Sequence, residues 1–108
     1  MLQAGIIAVI EDPFIRKLVR DILSPRGFVV RELLAQNAIN LIRSGPEHIN
    51  LLITNTPAEF LSYCEDVPVL YLAAAPIPEV AARFKRCRML CKPFHPDQLI
   101  AAVEDLTA

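Results

Sequence analysis

The sequence predicts an α/β protein in which a parallel β-sheet lies between two layers of helices. Short, continuous apolar runs, such as residues 4–10 and 49–54, have the composition of strands that are buried on both faces. Segments with apolar residues at helical spacing alternate with these runs along the chain. The 108-residue chain is 54% hydrophobic, and soluble domains are usually about 45–50% apolar. This excess is what a sheet covered on both sides requires.

The first half of the chain contains three predicted strands and two predicted helices. Residues 4–10 form the first strand. The helix after it begins at Asp12 and Pro13, a capping carboxylate followed by proline at the first helical position. Apolar residues at helical spacing continue this helix to Leu23, and the turn 24–27 ends it. The pattern then predicts a strand at 28–33, a helix at 37–43 and a strand at 49–54.

The second half begins with a connection that is short for parallel strands. A crossover between such strands normally needs ~10–12 residues including its helix. Residues 56–67 barely provide that length, and Pro57 occupies part of it. We therefore expect a single turn or an irregular loop in place of a third helix. A fourth strand at 67–73, a helix at 79–86, a short fifth strand at 89–91 and a last helix opened by Pro96 complete the prediction.

Composition and charge exclude several classes of protein. A chain this apolar buries enough surface to offset its ordering entropy, so it is not intrinsically disordered. No apolar run approaches the ~18 residues of a membrane span, and the first residues lack the basic region of a signal peptide. We therefore expect a cytoplasmic protein with a single domain over residues 1–108 and no membrane partner. The net charge of −1 does not indicate nucleic-acid binding.

The three cysteines are expected to be reduced thiols, because an odd number cannot all pair within one chain. They form no zinc-binding pattern with the two histidines. Cys91 precedes Lys92, and a nearby cation can activate a thiol. However, neighbours in a strand point to opposite faces, so adjacency does not ensure contact. A buried, inert Cys91 is the stronger expectation.

Ligands of α/β sheets bind at the carboxyl ends of the strands. The residues at these positions, and the segments around them, resemble the receiver domain of response regulators in bacterial two-component signalling. The resemblance covers essentially the whole chain. It rests on LCKPFHPDQL (residues 90–99) and on VIEDPFIRKLVRDIL (residues 9–23) followed by GF. It implies a three-layer α/β/α sandwich with a five-stranded parallel sheet in the flavodoxin-like order 2-1-3-4-5, here with a shortened third helix.

The resemblance also implies which residues occupy the phosphorylation site. Receivers transfer a phosphoryl group from a histidine kinase to an aspartate after the third strand, where this sequence has Asn55. A hydroxyl residue and a lysine that contact the phosphoryl oxygens correspond to Ala73 and Lys92. Because an amide is a poor nucleophile and alanine has no hydroxyl group, the usual phosphorylation chemistry is not expected here.

Two acidic residues follow the first strand. Glu11 and Asp12 fit the metal-binding carboxylates of the family if the loop after them is one residue shorter. Counting back from Arg16 instead puts Ile10 and Glu11 at those positions. We expect Asp12 to act mainly as a helix cap and Mg²⁺ binding to be weak at best, with no other cofactor. Lys92, without an aspartate beside it, is expected to form a structural ion pair with Glu11 or Asp12.

Two further positions follow from the resemblance. Pro93 fits the proline whose preceding peptide bond is commonly cis in this family. Met89 stands where receivers often carry an aromatic residue that changes conformation on activation. Pro93 is therefore the expected cis-proline, and the aromatic switch is absent from the sequence.

Basic residues concentrate in one segment before the fifth strand. In receivers this segment lies on the surface commonly used for dimerisation and output. A solvated surface and a binding site for an acidic partner domain are both open interpretations. Nucleic acid is the weaker alternative, because four charges without aromatic residues make a small footprint. The residues concerned are Arg83, Lys85, Arg86 and Arg88.

The sequence therefore predicts a receiver-like signalling domain that is not an enzyme and is not phosphorylated at Asn55. It would act as a protein-interaction module, with a histidine kinase, an attached output domain or a second copy as partner. Two alternatives stay open. One is a regulator phosphorylated at a residue other than Asn55, and the other is a small-molecule or redox-sensing module that uses Cys91.

Overall fold

The computed structural model describes residues 5–108, which form a sheet of five parallel strands with helices on both faces. The strands are β1 (Ile6–Ile10), β2 (Val30–Glu32), β3 (Ile49–Thr54), β4 (Val69–Ala73) and β5 (Cys87–Cys91). The helices are α1 (Pro13–Leu23), α2 (Ala35–Ser44), α3 (Pro78–Ala81) and α4 (Pro96–Thr107). The strand order β2-β1-β3-β4-β5 confirms the predicted sandwich. Ala4, included in the predicted first strand, lies outside the described residues.

The apolar runs have two buried faces because successive side chains of a strand point to opposite sides of the sheet. On β1, Ile7 and Val9 pack with α1 and α4, whereas Ile6, Ala8 and Ile10 pack on the side of α2. Every residue of β1 is buried. Alternation of polar and apolar residues is therefore absent from this strand. No helix within residues 5–108 is long and apolar enough to cross a membrane.

The connection between β3 and β4 is irregular, as its length predicts. Residues Pro57–Tyr63 form 3-10 turns instead of an α-helix, with a kink at Phe60. The Phe60 side chain is fully buried in the core cluster on the α2 side of the sheet. One aromatic ring therefore supplies much of the apolar contact that the face of a helix would otherwise provide.

The predicted helix at residues 79–86 is wrong in its length, because α3 ends at Ala81. Beyond it, the Phe84 side chain enters the core on the α2 side. The backbone N–H of Lys85 donates to the carbonyl of Cys64 at 2.9 Å instead of extending the helix. The Lys85–Cys64 hydrogen bond and the burial of the Phe84 ring thus end the helix earlier than its sequence pattern predicts.

Other boundaries differ from the prediction by a few residues. The second strand is shorter than the predicted 28–33 because Val29 stands exposed beside Val30, where regular pairing begins. The fifth strand is longer than the predicted 89–91, since Cys87 already pairs with Val69 of β4. Both differences affect the edges of the sheet, where side-chain patterns are weakest.

Replacing Phe60 by alanine should lower the free energy of unfolding by about 3–5 kcal/mol, because it leaves a cavity in the core on the α2 side of the sheet. Phe14→Ala is the matched control. That ring is 74% exposed, so its loss should change the free energy of unfolding by less than about 0.5 kcal/mol. Urea denaturation of both variants measures the difference, and equal costs would contradict this role of Phe60.

Candidate functional site

The carboxyl edge of the sheet brings together residues that are far apart in sequence. Ile10 pairs with Thr54 on the neighbouring strand, so Glu11 and Asn55 leave the sheet side by side. Ala73 pairs in the same way with Cys91. Lys92 follows immediately, and its backbone N–H donates to the Ala73 carbonyl at 2.9 Å.

An ion pair between Lys92 and Glu11 spans this edge. The Lys92 Nζ lies 3.1 Å from each of the two Glu11 carboxylate oxygens. β1 and β5 are three positions apart in the sheet, which corresponds to roughly 14 Å. Both side chains must therefore reach across the ends of β3 and β4, where Asn55 and Ala73 lie. The sequence-based expectation that Lys92 pairs with one of the two acidic residues is confirmed for Glu11.

The Glu11 carboxylate occupies an unfavourable environment despite its partner. Its side chain is fully buried, and that of Lys92 is 23% exposed. Burial raises the pKa of Glu11 above its ordinary value of 4.5. The attraction of Lys92 and the backbone N–H of Asp12, 3.2 Å from Oε1, oppose this shift without cancelling it. Desolvation of the carboxylate therefore outweighs the ion pair.

Asp12 has a different partner, the helix that follows it. Its Oδ1 accepts a hydrogen bond from the backbone N–H of Ile15 at 3.0 Å, which caps α1. The two neighbouring carboxylates therefore have different partners, a lysine ammonium group for Glu11 and a helix N-terminus for Asp12. The predicted helix cap at Asp12 is confirmed.

The residues at the edge do not fit a magnesium ion. Both Glu11 oxygens face the Lys92 ammonium group, Asp12 is engaged with the helix, and Asn55 carries no charge. Mg²⁺ needs carboxylate charge and nearly octahedral oxygen ligands. Within residues 5–108, no group of three or more His, Cys, Asp or Glu side chains is arranged to hold a metal ion.

Asn55 is exposed, and among the described residues its side chain makes no hydrogen bond. The loop around it is held instead by two threonines. The buried Thr54 Oγ1 accepts from the backbone N–H of Thr56 at 3.0 Å and lies 3.2 Å from its Oγ1. The Thr56 hydroxyl donates to Glu59 at 2.9 Å. Since that hydroxyl has one proton, Thr54 is the donor between the two.

Sequence analysis did not identify this arrangement of hydroxyl groups. The spacing of Thr56 and Glu59 is that of a helix-capping pair, which was a readable signal. The bonds fix the backbone on either side of Asn55. They leave its amide as the polar group presented to solvent.

The remaining predicted positions lie on or next to β5. The Lys92–Pro93 peptide bond is cis, the conformation that the resemblance implies. Met89 is 43% exposed. Cys91 is exposed, so the expectation of a buried Cys91 is wrong; β5 is an edge strand, and the short α3 leaves its end uncovered. Burial raises the pKa of the Cys87 thiol to about 11, which makes that cysteine a poor nucleophile.

The basic segment divides into two pairs of residues. Arg86 donates to the Asp105 carbonyl at 2.8 Å, and Arg88 lies 3.7 Å from the Asp105 carboxylate. Both are therefore held against α4. Arg83 and Lys85 are exposed and form no ion pair within the described part of the chain. Their charge is the uncompensated part of this surface.

The raised pKa of Glu11 predicts a pH-dependent effect of Glu11→Gln. A carboxyl group whose pKa is higher in the folded state stabilises the fold when protonated. This contribution is fully present below the ordinary pKa of 4.5 and is lost as pH rises through the folded value. The free energy of unfolding of the wild type minus that of Glu11→Gln should therefore fall as the pH rises from 4.5 through the raised folded-state pKa.

Chemical denaturation across this range measures the difference. Glu79→Gln, at an exposed carboxyl group, controls for the change in net charge. Lys92→Met should cost more than Glu11→Gln at neutral pH, because it leaves a buried carboxylate without its cation. A wild-type advantage over Glu11→Gln that grows with pH would contradict the assignment.

Comparison with known proteins places this arrangement in a structural context. No protein-family model and no curated protein matches the sequence. Solved structures do match. The chemotaxis response regulator CheY4 of Vibrio cholerae superposes with a TM-score of 0.76 at 18% identity, over 97% of this chain and 99% of that one.

Two further matches agree with the first. A response regulator receiver protein from Sinorhizobium medicae has a TM-score of 0.73 at 21% identity, over 95% of this chain and 94% of that one. NtrX from Brucella abortus has a TM-score of 0.76 at 24% identity, over 98% of this chain and 26% of that longer one. At these identities the matches establish the architecture and leave the chemistry to the residues described above. The chain has the fold of response regulator receiver domains.

Proposed function

We propose that this chain is a receiver-type signalling domain that works as a protein-interaction module without phosphorylation at Asn55. The observation that carries the proposal is the Lys92–Glu11 ion pair across the ends of the strands. In a working receiver, the corresponding lysine contacts a phosphoryl group. Here its ammonium group neutralises a carboxylate of the same chain.

The chemistry of the surrounding side chains supports the same conclusion. Acyl phosphate formation requires a carboxylate nucleophile, and the Asn55 amide cannot provide one. The methyl group of Ala73 cannot donate a hydrogen bond to a phosphoryl oxygen. One Asp12 oxygen caps its helix and Glu11 is paired with Lys92, so the described residues at this edge offer few free oxygen ligands for the divalent ion that would neutralise the transferred phosphoryl group.

Without a phosphoryl group, the state of the domain depends on binding alone. A ligand shifts a conformational equilibrium only by its difference in affinity for the two states. We assign the contact with an acidic partner to Arg83 and Lys85, whose charges are exposed and unpaired within residues 5–108. A histidine kinase or an output domain, attached or separate, is the expected kind of partner.

Incubation with acetyl phosphate and Mg²⁺ should leave the intact mass of the wild-type chain unchanged, because the acceptor position is occupied by Asn55, whose amide cannot become an acyl phosphate. Mass spectrometry of the intact protein measures this directly. A phosphoryl adduct on the wild-type chain, at any residue, would overturn the proposal and favour a regulator with a different acceptor.

Asn55→Asp is the informative companion to this experiment. It introduces a carboxylate at a position that takes part in neither the Lys92–Glu11 pair nor the threonine bonds of the loop. Labelling of this variant alone would assign the loss of phosphorylation to residue 55. If neither protein is labelled, then the missing hydroxyl group at Ala73 or the engagement of Asp12 as a helix cap also prevents phosphorylation.

Reversing two charges in Arg83→Glu and Lys85→Glu together should abolish capture of an acidic partner from the source lysate, because the uncompensated positive charge is lost. Arg43→Glu is the control, since Arg43 is also exposed but lies on α2. Quantitative mass spectrometry of the captured proteins compares the variants. Equal capture by all of them would contradict the assignment of the surface.

A further inference from the structure

The outer edge of β5 presents unpaired backbone groups. Val69 donates to the Arg86 carbonyl at 3.0 Å, and Lys92 donates to the Ala73 carbonyl at 2.9 Å. These bonds show that even-numbered residues of this segment direct their N–H and C=O groups toward β4. The backbone groups of Cys87, Met89 and Cys91 therefore point away from the sheet. No backbone group of residues 5–108 pairs with them.

The two edges of the sheet differ in how they are protected. β2 has only three residues, and one of them, Arg31, forms an ion pair of 2.6 Å with Glu47. β5 has five residues, contains no proline and pairs with β4 without a bulge. Short length, charge, proline and bulges are the means by which proteins prevent edge pairing. β5 uses few of them, since the one charge on it, Arg88, faces Asp105.

We infer that β5 pairs with β5 of a second copy of this chain, antiparallel and centred on Met89, so that the two sheets become continuous. A twofold axis at Met89 places Cys87 opposite Cys91 of the second copy, and the reverse. Because these residues point outward, each opposed pair exchanges two N–H···O bonds. All the outward donors and acceptors of both strands are then satisfied.

The side chains are compatible with this register. Arg88 comes opposite Leu90 of the second copy and diagonal to Arg88 of that copy, and in each chain its charge lies 3.7 Å from the Asp105 carboxylate. Arg86 comes opposite Lys92, and both are already bound within their own chain, Arg86 to the Asp105 carbonyl and Lys92 to Glu11. Met89 is 43% exposed because the four-residue α3 does not cover it.

A second copy fits this edge better than an unrelated extended segment for reasons of symmetry. A closed pair of identical chains requires the same surface on both, and the outward positions of β5 are symmetric about Met89. Cysteine stands at both ends of the strand and Met89 at its centre. The inference goes beyond the proposed function and does not depend on whether Asn55 is phosphorylated.

The test separates backbone pairing from side-chain packing at one residue. Met89→Pro removes the outward N–H and leaves the bonds to β4 in place, because those come from even-numbered residues. Loss of one bond from each copy should raise the dimer dissociation constant on the order of 30-fold. Met89→Ala keeps the N–H and should remain a dimer. Sedimentation velocity measures the three proteins, and circular dichroism checks that each is folded.

A monomeric wild type at the highest attainable concentration would overturn the inference. So would dimers of equal strength in Met89→Pro and Met89→Ala, or dissociation of both. These results concern association only. They are independent of the phosphorylation measurement, so either proposal can fail alone.

Disulfide formation tests the register without altering Met89. One protein carries Cys64→Ser and Cys87→Ser, and the other carries Cys64→Ser and Cys91→Ser. In the proposed pair the opposed Cα atoms are about 5.5 Å apart, within the range of a disulfide. Two copies of Cys91 would instead be about 14 Å apart.

Oxidation with diamide should therefore link the mixture of the two proteins and neither protein alone. Each disulfide formed transfers two electrons and two protons from the thiols to diamide. Non-reducing electrophoresis detects the product. Linking of the Cys91 protein by itself at the rate of the mixture would overturn this register.

Discussion

Burial of the central strands on both faces is the constraint from which the rest of the molecule follows. β1 and most of β3 are excluded from water on both sides, so each must be covered by two separate layers. Parallel strands with helical crossovers are the arrangement that provides such layers. The same constraint drives the polar ends of the strands to one edge.

At that edge, the charged side chains interact with other groups of the same chain. Glu11 and Lys92 neutralise each other above Asn55, and Asp12 stabilises a helix. The bonds of Thr54 and Thr56 to each other and to Glu59 then hold the intervening loop. A site arranged for a dianionic phosphoryl group and a divalent cation would leave its charges available to those ligands. Here each cleft-facing charge has a partner in the same chain, which accounts for the proposal of a binding module.

The sequence predicted those features that depend on local chemistry. The continuous apolar runs predicted strands buried on both faces, and Asp12 before Pro13 predicted a capped helix. What it did not predict depends on contacts between distant residues. The end of α3 is decided by the Phe84 ring and by the Lys85 bond to Cys64. Which of the two acidic residues pairs with Lys92 depends on the reach of that side chain from the far edge of the sheet, which spacing along the chain does not encode.

The irregular connection after β3 has a consequence for motions of the native state. On the α2 side of the sheet, the layer beyond α2 consists of 3-10 turns and a four-residue helix, held by Phe60 and Phe84. Such a layer has few helical hydrogen bonds to break before it separates from the strands. Regions of this kind open at lower free energy than the whole protein unfolds. Amide hydrogens of residues 57–63 should therefore exchange with solvent through a local opening. Those of β1 and β3 should exchange only when the whole protein unfolds.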